Sequence, residues 1–365
     1  MADVNIAQPK PELTKEKQLD QFLGQMSVPL FFAFLCLLGI IAANLNPRFL
    51  INEILTRLGR NSFLVLSLII PILAGLGLNF GIVIGAMAGQ TALIIITHLQ
   101  IGGLPGLLLA FLISIPFSVL FGWLTGLILN RAKGREMVTS FIMGFFANGL
   151  YQLVFLVLIG TLIPLKNPVL VLSSGIGLRN SIDLIAINKA LDHAVFGPVK
   201  LGPYNIPLFT LLVIALLCVV ISFLMKTRLG QRMRAVGQDM NIAEVSGINV
   251  NKTRIIAIII STVLAAWGQL IFLQNIGTFN TYNSHEQVGM FSIAALLIGG
   301  ATIRRATIWN ALVGVLLFHT LFVVSPLAGQ RLLGIPQVGE YFRSFLAYGI
   351  IAVALALHAW QGKKK

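Results

Sequence analysis

The feature that most constrains this chain is its succession of apolar runs, each near the length needed to cross a lipid bilayer. A spanning helix requires about 20 predominantly apolar residues. Ten candidate runs follow one another: 27–44, 62–78, 81–97, 106–130, 137–163, 206–225, 255–273, 288–303, 306–324 and 344–360. Of the 365 residues, 57% are hydrophobic and 10% charged. An ordinary soluble domain has about 25% charged residues, so there is too little polar surface here to face water. The runs are Leu-rich and lack the polar/apolar alternation of a membrane barrel, and a helix satisfies its own backbone in hydrocarbon. The expected fold class is therefore all-α, a polytopic transmembrane helical bundle of about ten spans. A soluble enzyme, a disordered tail protein and a nucleic-acid binder are excluded, despite a net charge of +14. In a chain dissolved in lipid, surplus Lys and Arg mark the cytoplasmic face and not a nucleic-acid partner.

Placing both termini in the cytoplasm puts the larger share of the 26 Lys and Arg residues on that side, among them Lys10, Lys15, Arg131, Lys133, Arg135, Arg228 and Lys363. The stretch 46–61, expected outside with Arg48, Arg57 and Arg60, runs against this bias. Residues 1–26 read as a cytoplasmic tail and 27–365 as one transmembrane domain. The first apolar run has no small-residue cleavage site, so it is expected to be an anchor helix. In this layout every Lys, Arg, Asp and Glu falls in a loop or tail, and only His319 lies well inside a span, as a packing histidine. Ion-coupled carriers and intramembrane hydrolases keep ionisable groups at depth; their absence suits a neutral solute. Cys36 and Cys218 lie inside apolar runs and read as buried thiols.

The run 62–97 would measure about 54 Å as one helix at 1.5 Å per residue, so it must turn back. The expected break is Leu78-Asn79-Phe80-Gly81, with Asn79 as a cap. Against this, Gly77, Gly81, Gly85 and Gly89 recur every four residues, a ladder that suits one unbroken helix. The ladder reads either as close helix packing or as a flexible gate. Spans 2–5 and 7–10 run in opposite directions, giving two inverted-topology halves. The short spans 81–97 and 288–303 are then second in each half, which is where a transport site is expected. The segment 164–205 forms a long exterior loop. Its residues 181–195 read as an amphipathic helix on the membrane surface, an ordinary loop helix, or part of a docking surface for an external partner.

Between spans 6 and 7 lies the inner loop 226–254, KTRLGQRMRAVGQDMNIAEVSGINVNKTR. Residues 241–246 are helix-compatible, with Gly237 and Gly247 on either side and Asp239 or Asn241 as cap. Such a helix below the bundle serves either as a solvated elbow or as a seat for a protein partner. The run R-L-G-Q-R-M-R-A-V-G followed by S-G-I-N-V resembles the cytoplasmic coupling loop of ABC-importer permeases of the simple-sugar, nucleoside and branched-chain amino acid group. Segments 74–89 and 291–314 fit the same family, and the likeness extends over most of 64–321. The resemblance implies a permease of about ten helices in a bacterial inner membrane. It would pair with a second permease chain as a homo- or heterodimer, with cytoplasmic ABC ATPases and with an extracytoplasmic solute-binding protein. Arg234, Ala235, Val236, Gly237, Asn241, Ala243, Glu244, Gly247 and Ile248 would form or support the coupling helix. The family's small-residue turn after Gly-Gly is replaced by Thr302-Ile303-Arg304-Arg305, where Arg304 and Arg305 either touch the ATPase or anchor the span end. No Gly-x-x-x-x-Gly-Lys-Ser/Thr phosphate loop is present. The chain is thus expected to be a transport subunit and not an enzyme. It holds no cofactor of its own, and ATP and Mg belong to the partner ATPase.

Amides and aromatics near the spans are the pathway candidates: Asn79, Phe80, Gln90, Asn148, Tyr151, Gln152, Gln274 and Asn275. Asn148, Tyr151 and Gln152 share one helix face by i, i+3, i+4 spacing. The same residues could equally serve as interhelical hydrogen-bond partners. The expected cargo is a neutral polar solute of the sugar or nucleoside class, with branched-chain amino acids and riboflavin-like solutes as alternatives. A facilitator or ion-coupled carrier working without an ATPase is the rival class.

Overall fold

A computed structural model describes residues 15–194 and 197–362 of the chain. Lys10 and Lys363–Lys365, and Val195 at the end of the expected loop helix, lie outside the described residues. In chain order the helices begin with α1 (Lys15–Ala43), α2 (Pro47–Ser67), α3 (Ile69–Leu73), α4 (Ile82–Leu99), α5 (Gly103–Arg131) and α6 (Glu136–Leu153), the last prolonged by a π-helical turn. After a segment holding β1 (Ser181–Asp183), β2 (Val199–Leu201) and β3 (Tyr204–Ile206) come α7 (Leu208–Lys226), α8 (Arg228–Gln238), α9 (Met240–Val245) and α10 (Val250–Ile276). The chain continues through β4 (Thr278–Asn280), α11 (Ser284–Ile298), α12 (Ile308–Leu333) and α13 (Pro336–Gly362). Among the described residues nine helices are long and apolar enough to cross a membrane, α2 and α3 counting as one. The 15-residue α11 is shorter than these nine and packs against α4, α12 and α13.

The second pass begins earlier than its hydropathy suggests. Asn46 caps α2 by accepting from the Arg48 backbone N–H at 2.9 Å, and Pro47 at the first helical position presets the backbone. The stretch 46–61, expected as an exterior loop, is therefore helix, and it carries Glu53, Arg57 and Arg60 into the bundle. The expectation that every charge sits in a loop is corrected accordingly.

The break between passes two and three is real and lies at 74–81. Gly75 and Gly77 adopt φ of +76° and +69°, which L side chains rarely adopt, and the Asn79 side chain accepts from the Gly81 N–H at 3.0 Å to close the turn. The glycine ladder thus divides in two. Gly77 and Gly81 shape the break, whereas Gly85 and Gly89 bring α4 against the backbone of α10, where an added Cβ would meet Thr262 O at 2.7 Å and Ala266 O at 2.6 Å. The buried α10 lies at the centre, against α2, α4 and α5.

One face of the bundle carries α8, α9, the 132–135 turn and the 299–307 loop; the other carries the small strands. There the expected amphipathic helix 181–195 is replaced by β1, paired antiparallel with β4, followed by a 3₁₀ turn. Ile182, Leu184, Ile187 and Leu191 face inward and are buried. The apolar residues suggested an amphipathic helix because β and 3₁₀ segments can bury the same side chains against the bundle.

Candidate functional site

The two short passes bring most of the pathway candidates together. His285, at the start of α11, is fully buried, with Nδ1 2.8 Å from Gln90 Oε1 on α4 and Nε2 2.8 Å from Asn148 Oδ1 on α6. A neutral imidazole donates from one nitrogen only. Turning the Gln90 amide, whose Nε2 has no other partner, lets it donate to Nδ1 while Nε2–H donates to Asn148. Asn148 in turn donates to the Glu286 carboxylate and accepts from Gln152 at 3.4 Å. The Tyr151 ring lies 5.1 Å from that of His285. Three passes, two from the first half and one from the second, are tied by this cluster.

Beside it lies a cavity of about 330 Å³ lined by Phe80, Phe141, Phe145, Asn148, Glu286, Gln287 and Tyr348. Phe80 is aimed there by the break. Its N–H donates to Ser140 Oγ at 3.1 Å, and its ring meets Phe141 edge to face at 5.4 Å. Asn79 is buried behind it in the turn. A carboxylate, amides and aromatic rings around one cavity are suited to hydroxyl-rich or ring-bearing solutes.

Gln274 and Asn275 do not belong to this cluster. Gln274 accepts from the backbone N–H groups of Lys189 and Leu191, and Asn275 donates to Asp192 at 2.9 Å. Both pin the 181–194 segment to the end of α10. Being amides near a span end, they looked like pathway residues, yet the tertiary structure uses them as loop anchors. His285 and Glu286 were the residues missed. They fall in the gap between the runs 255–273 and 288–303, although Asn283 followed three residues later by Glu286 before an apolar run is a helix-start signature.

On the opposite face the loop 226–254 is more ordered than its sequence suggested. α8 precedes α9, and Asp239 caps α9 by accepting from the Asn241 and Ile242 N–H groups at 2.8 and 3.0 Å. Val236, Ala243 and Val250 form a small buried core with Ala235 and Ile248 packed against it. Arg234, Asn241, Glu244 and Gly247 face solvent. So do Ile242 and Val245, 67% and 90% exposed, an apolar pair at i, i+3. Gly237 is pressed on the end of α3; a Cβ there would sit 2.2 Å from Leu73 O, and one on Gly75 would sit 3.0 Å from Gly237 Cα. Arg254 at the start of α10 is fully buried and pairs with Glu136 at the start of α6, while its other arm donates to Met240 Sδ at 3.1 Å. A cavity of about 630 Å³ opens among these parts, lined by Gly75, Gly77, Glu136, Gly237, Asp239 and Arg304. Arg304 and Arg305 are both exposed.

A bundle of membrane-length helices in which the short α4 and α11 and the break at 74–81 meet beside a polar cluster has the arrangement of a membrane transport site. The chain belongs to the family described as branched-chain amino acid transport system / permease component, which it matches over residues 50–355. It is a multi-pass membrane protein of the ABC permease kind. The nucleoside ABC transporter permease protein NupC of Lactococcus lactis subsp. cremoris is 32% identical over 167 residues, 45% of this chain and 49% of that one. The xylose transport system permease protein XylH of Haemophilus influenzae is 28% identical over 194 residues, 50% of this chain and 49% of that one. The chain thus spans about half the length of these two relatives. The ribose import permease protein RbsC of Haemophilus influenzae is 22% identical over 364 residues, 96% of this chain and 98% of that one. No solved structure matches.

Proposed function

We propose that the chain is the transmembrane subunit of an ATP-driven importer, passing a neutral polar solute of the sugar or nucleoside class into a bacterial cytoplasm by alternating access. One observation carries this reading: the α8–α9 unit rests through Gly237 on Leu73 and Gly75, at the start of the break that ends in Phe80 at the cavity. A pull on α9 therefore has a contact route to the pathway, through α8 and segment 74–81. In this reading the α8–α9 face is cytoplasmic, both termini lie there, and the exposed Ile242 and Val245 seat a partner ATPase in whose nucleotide site ATP and Mg act. A second permease chain and a solute-binding protein complete the assembly. The names of the nucleoside, xylose and ribose relatives support the solute class, as do the aromatic and amide walls of the cavity.

The test is uptake by the assembled complex with radiolabelled ribose, xylose and adenosine, each competed by unlabelled solutes. Asn148→Leu leaves His285 Nε2 and Glu286 without their partner, at a cost of about 1–3 kcal/mol in stability; with a polar group also lost from the cavity wall, solute affinity is expected to fall, with membrane insertion unchanged. Unaltered affinity in that variant for a solute that the wild type imports would remove the cavity from the pathway.

A further inference from the structure

A third cavity, of about 480 Å³, opens between α2, α10, α11 and α12 on the strand-bearing side of the bundle. Arg57, Arg60 and His319 line it together with the rings of Phe272, Phe291 and Phe322, and no carboxylate is among its lining residues. Arg57 shares an ion pair with Glu53 at 3.1 Å, but Glu53 is the more exposed partner and is not among the lining residues. Arg60 has no ion pair among the described residues, and its buried Nε has no hydrogen-bond partner. Its guanidinium lies 5.6 Å over Phe272, while Arg57 and Arg343 lie 5.3 and 3.4 Å from the centre of Phe322. Arg343 itself pairs at 3.8 Å with the largely exposed Glu340. His319 lines the same cavity and is buried with Nδ1 unpartnered.

Aromatic faces attract these cations but do not neutralise them. Arg57 and Arg60 stand at i, i+3 on one helix face, where like charges repel. Low dielectric near the bundle interior strengthens both that repulsion and any anion that relieves it. A guanidinium offers a planar fork of donors that matches the two oxygens of a carboxylate or phosphate. We infer that this cavity binds an anionic oxygen group, a carboxylate or phosphate, held by Arg60 and Arg57, with His319 Nδ1 as a further donor. Its volume exceeds that of a bare phosphate, and Phe272, Phe291 and Phe322 are placed to pack on an organic portion. The group comes either from a dissolved anion or from a lipid headgroup. This inference does not rest on the neutral solute proposed for the first cavity.

The test uses the full-length chain purified in uncharged detergent. Its thermal unfolding is followed as inorganic phosphate replaces chloride at constant ionic strength, and in parallel in phosphatidylcholine nanodiscs with and without phosphatidylglycerol. A ligand of the folded state raises Tm by mass action. A saturable rise of a few degrees is expected for the wild type and for Arg131→Gln on the opposite face, and its loss for Arg60→Gln. Should Arg60→Gln fail to insert, Arg60→Lys, which keeps the charge without the fork, is expected to show a weakened rise. A phosphate response assigns a dissolved anion, and a response only to phosphatidylglycerol assigns a headgroup. A wild type that responds in neither arm, or Arg60 variants that respond as the wild type does, would overturn the assignment.

Discussion

Gly237 shows how one missing side chain can define a mechanical contact. Leu73 O occupies the space its Cβ would need, so Gly237→Leu must push α8 off the end of α3. The expected result is loss of the proposed ATP-driven uptake with about 1–3 kcal/mol of destabilisation from overpacking, read by transport assay and thermal unfolding side by side. Arg254 gives a second residue-scale prediction. Its guanidinium is fully buried against Glu136, and removing one member of such a pair leaves the other charge uncompensated, at about 3–5 kcal/mol. Arg254→Met should therefore be strongly destabilised, whereas the double variant Arg254→Met with Glu136→Met should recover much of the loss. Equal stability of the single and double variants would contradict the pairing. Neither contact was visible in the sequence. Gly237 stood out only through its motif, and Arg254 read as a loop cation because hydropathy started the apolar run at 255 while Asn249 caps the helix earlier, accepting from the Lys252 N–H at 2.9 Å.

At the scale of elements, apolar-run length made the bundle, the inner helix and the break between the second and third passes legible. What it missed are places where local capping or tertiary pairing decides the outcome. The Asn46–Pro47 start carries α2 through a polar stretch, and β1 pairs with a strand almost a hundred positions away, which no local pattern records. α9 is the element with the sharpest prediction. Six residues long, it presents Ile242 and Val245 to solvent while Ala243 faces its small core, so its outer side is free to be altered without disturbing the fold. The pair Ile242→Asp and Val245→Asp should abolish co-purification with the proposed partner ATPase, and leave the unfolding free energy of the isolated chain within about 0.5 kcal/mol of wild type, as exposed substitutions usually do. Retained association would show that α9 is a solvated elbow.

The whole molecule joins two sites through one break: a polar cluster of Gln90, Asn148 and His285 at the meeting of the short passes, and the α8–α9 unit on the opposite side of segment 74–81. A ligand or partner can shift a two-state bundle only by binding its states unequally, and the proposed partner acts on α9, where the bundle is braced by Gly237. The most direct measurement places the chain in liposomes, alone and together with the proposed ATPase and solute-binding protein, and follows entry of the solute before and after ATP is supplied. The account predicts that liposomes holding the chain alone stay closed, and that accumulation starts with ATP only in the complete assembly and not with Gly237→Leu. Rapid solute entry through the chain alone would contradict it.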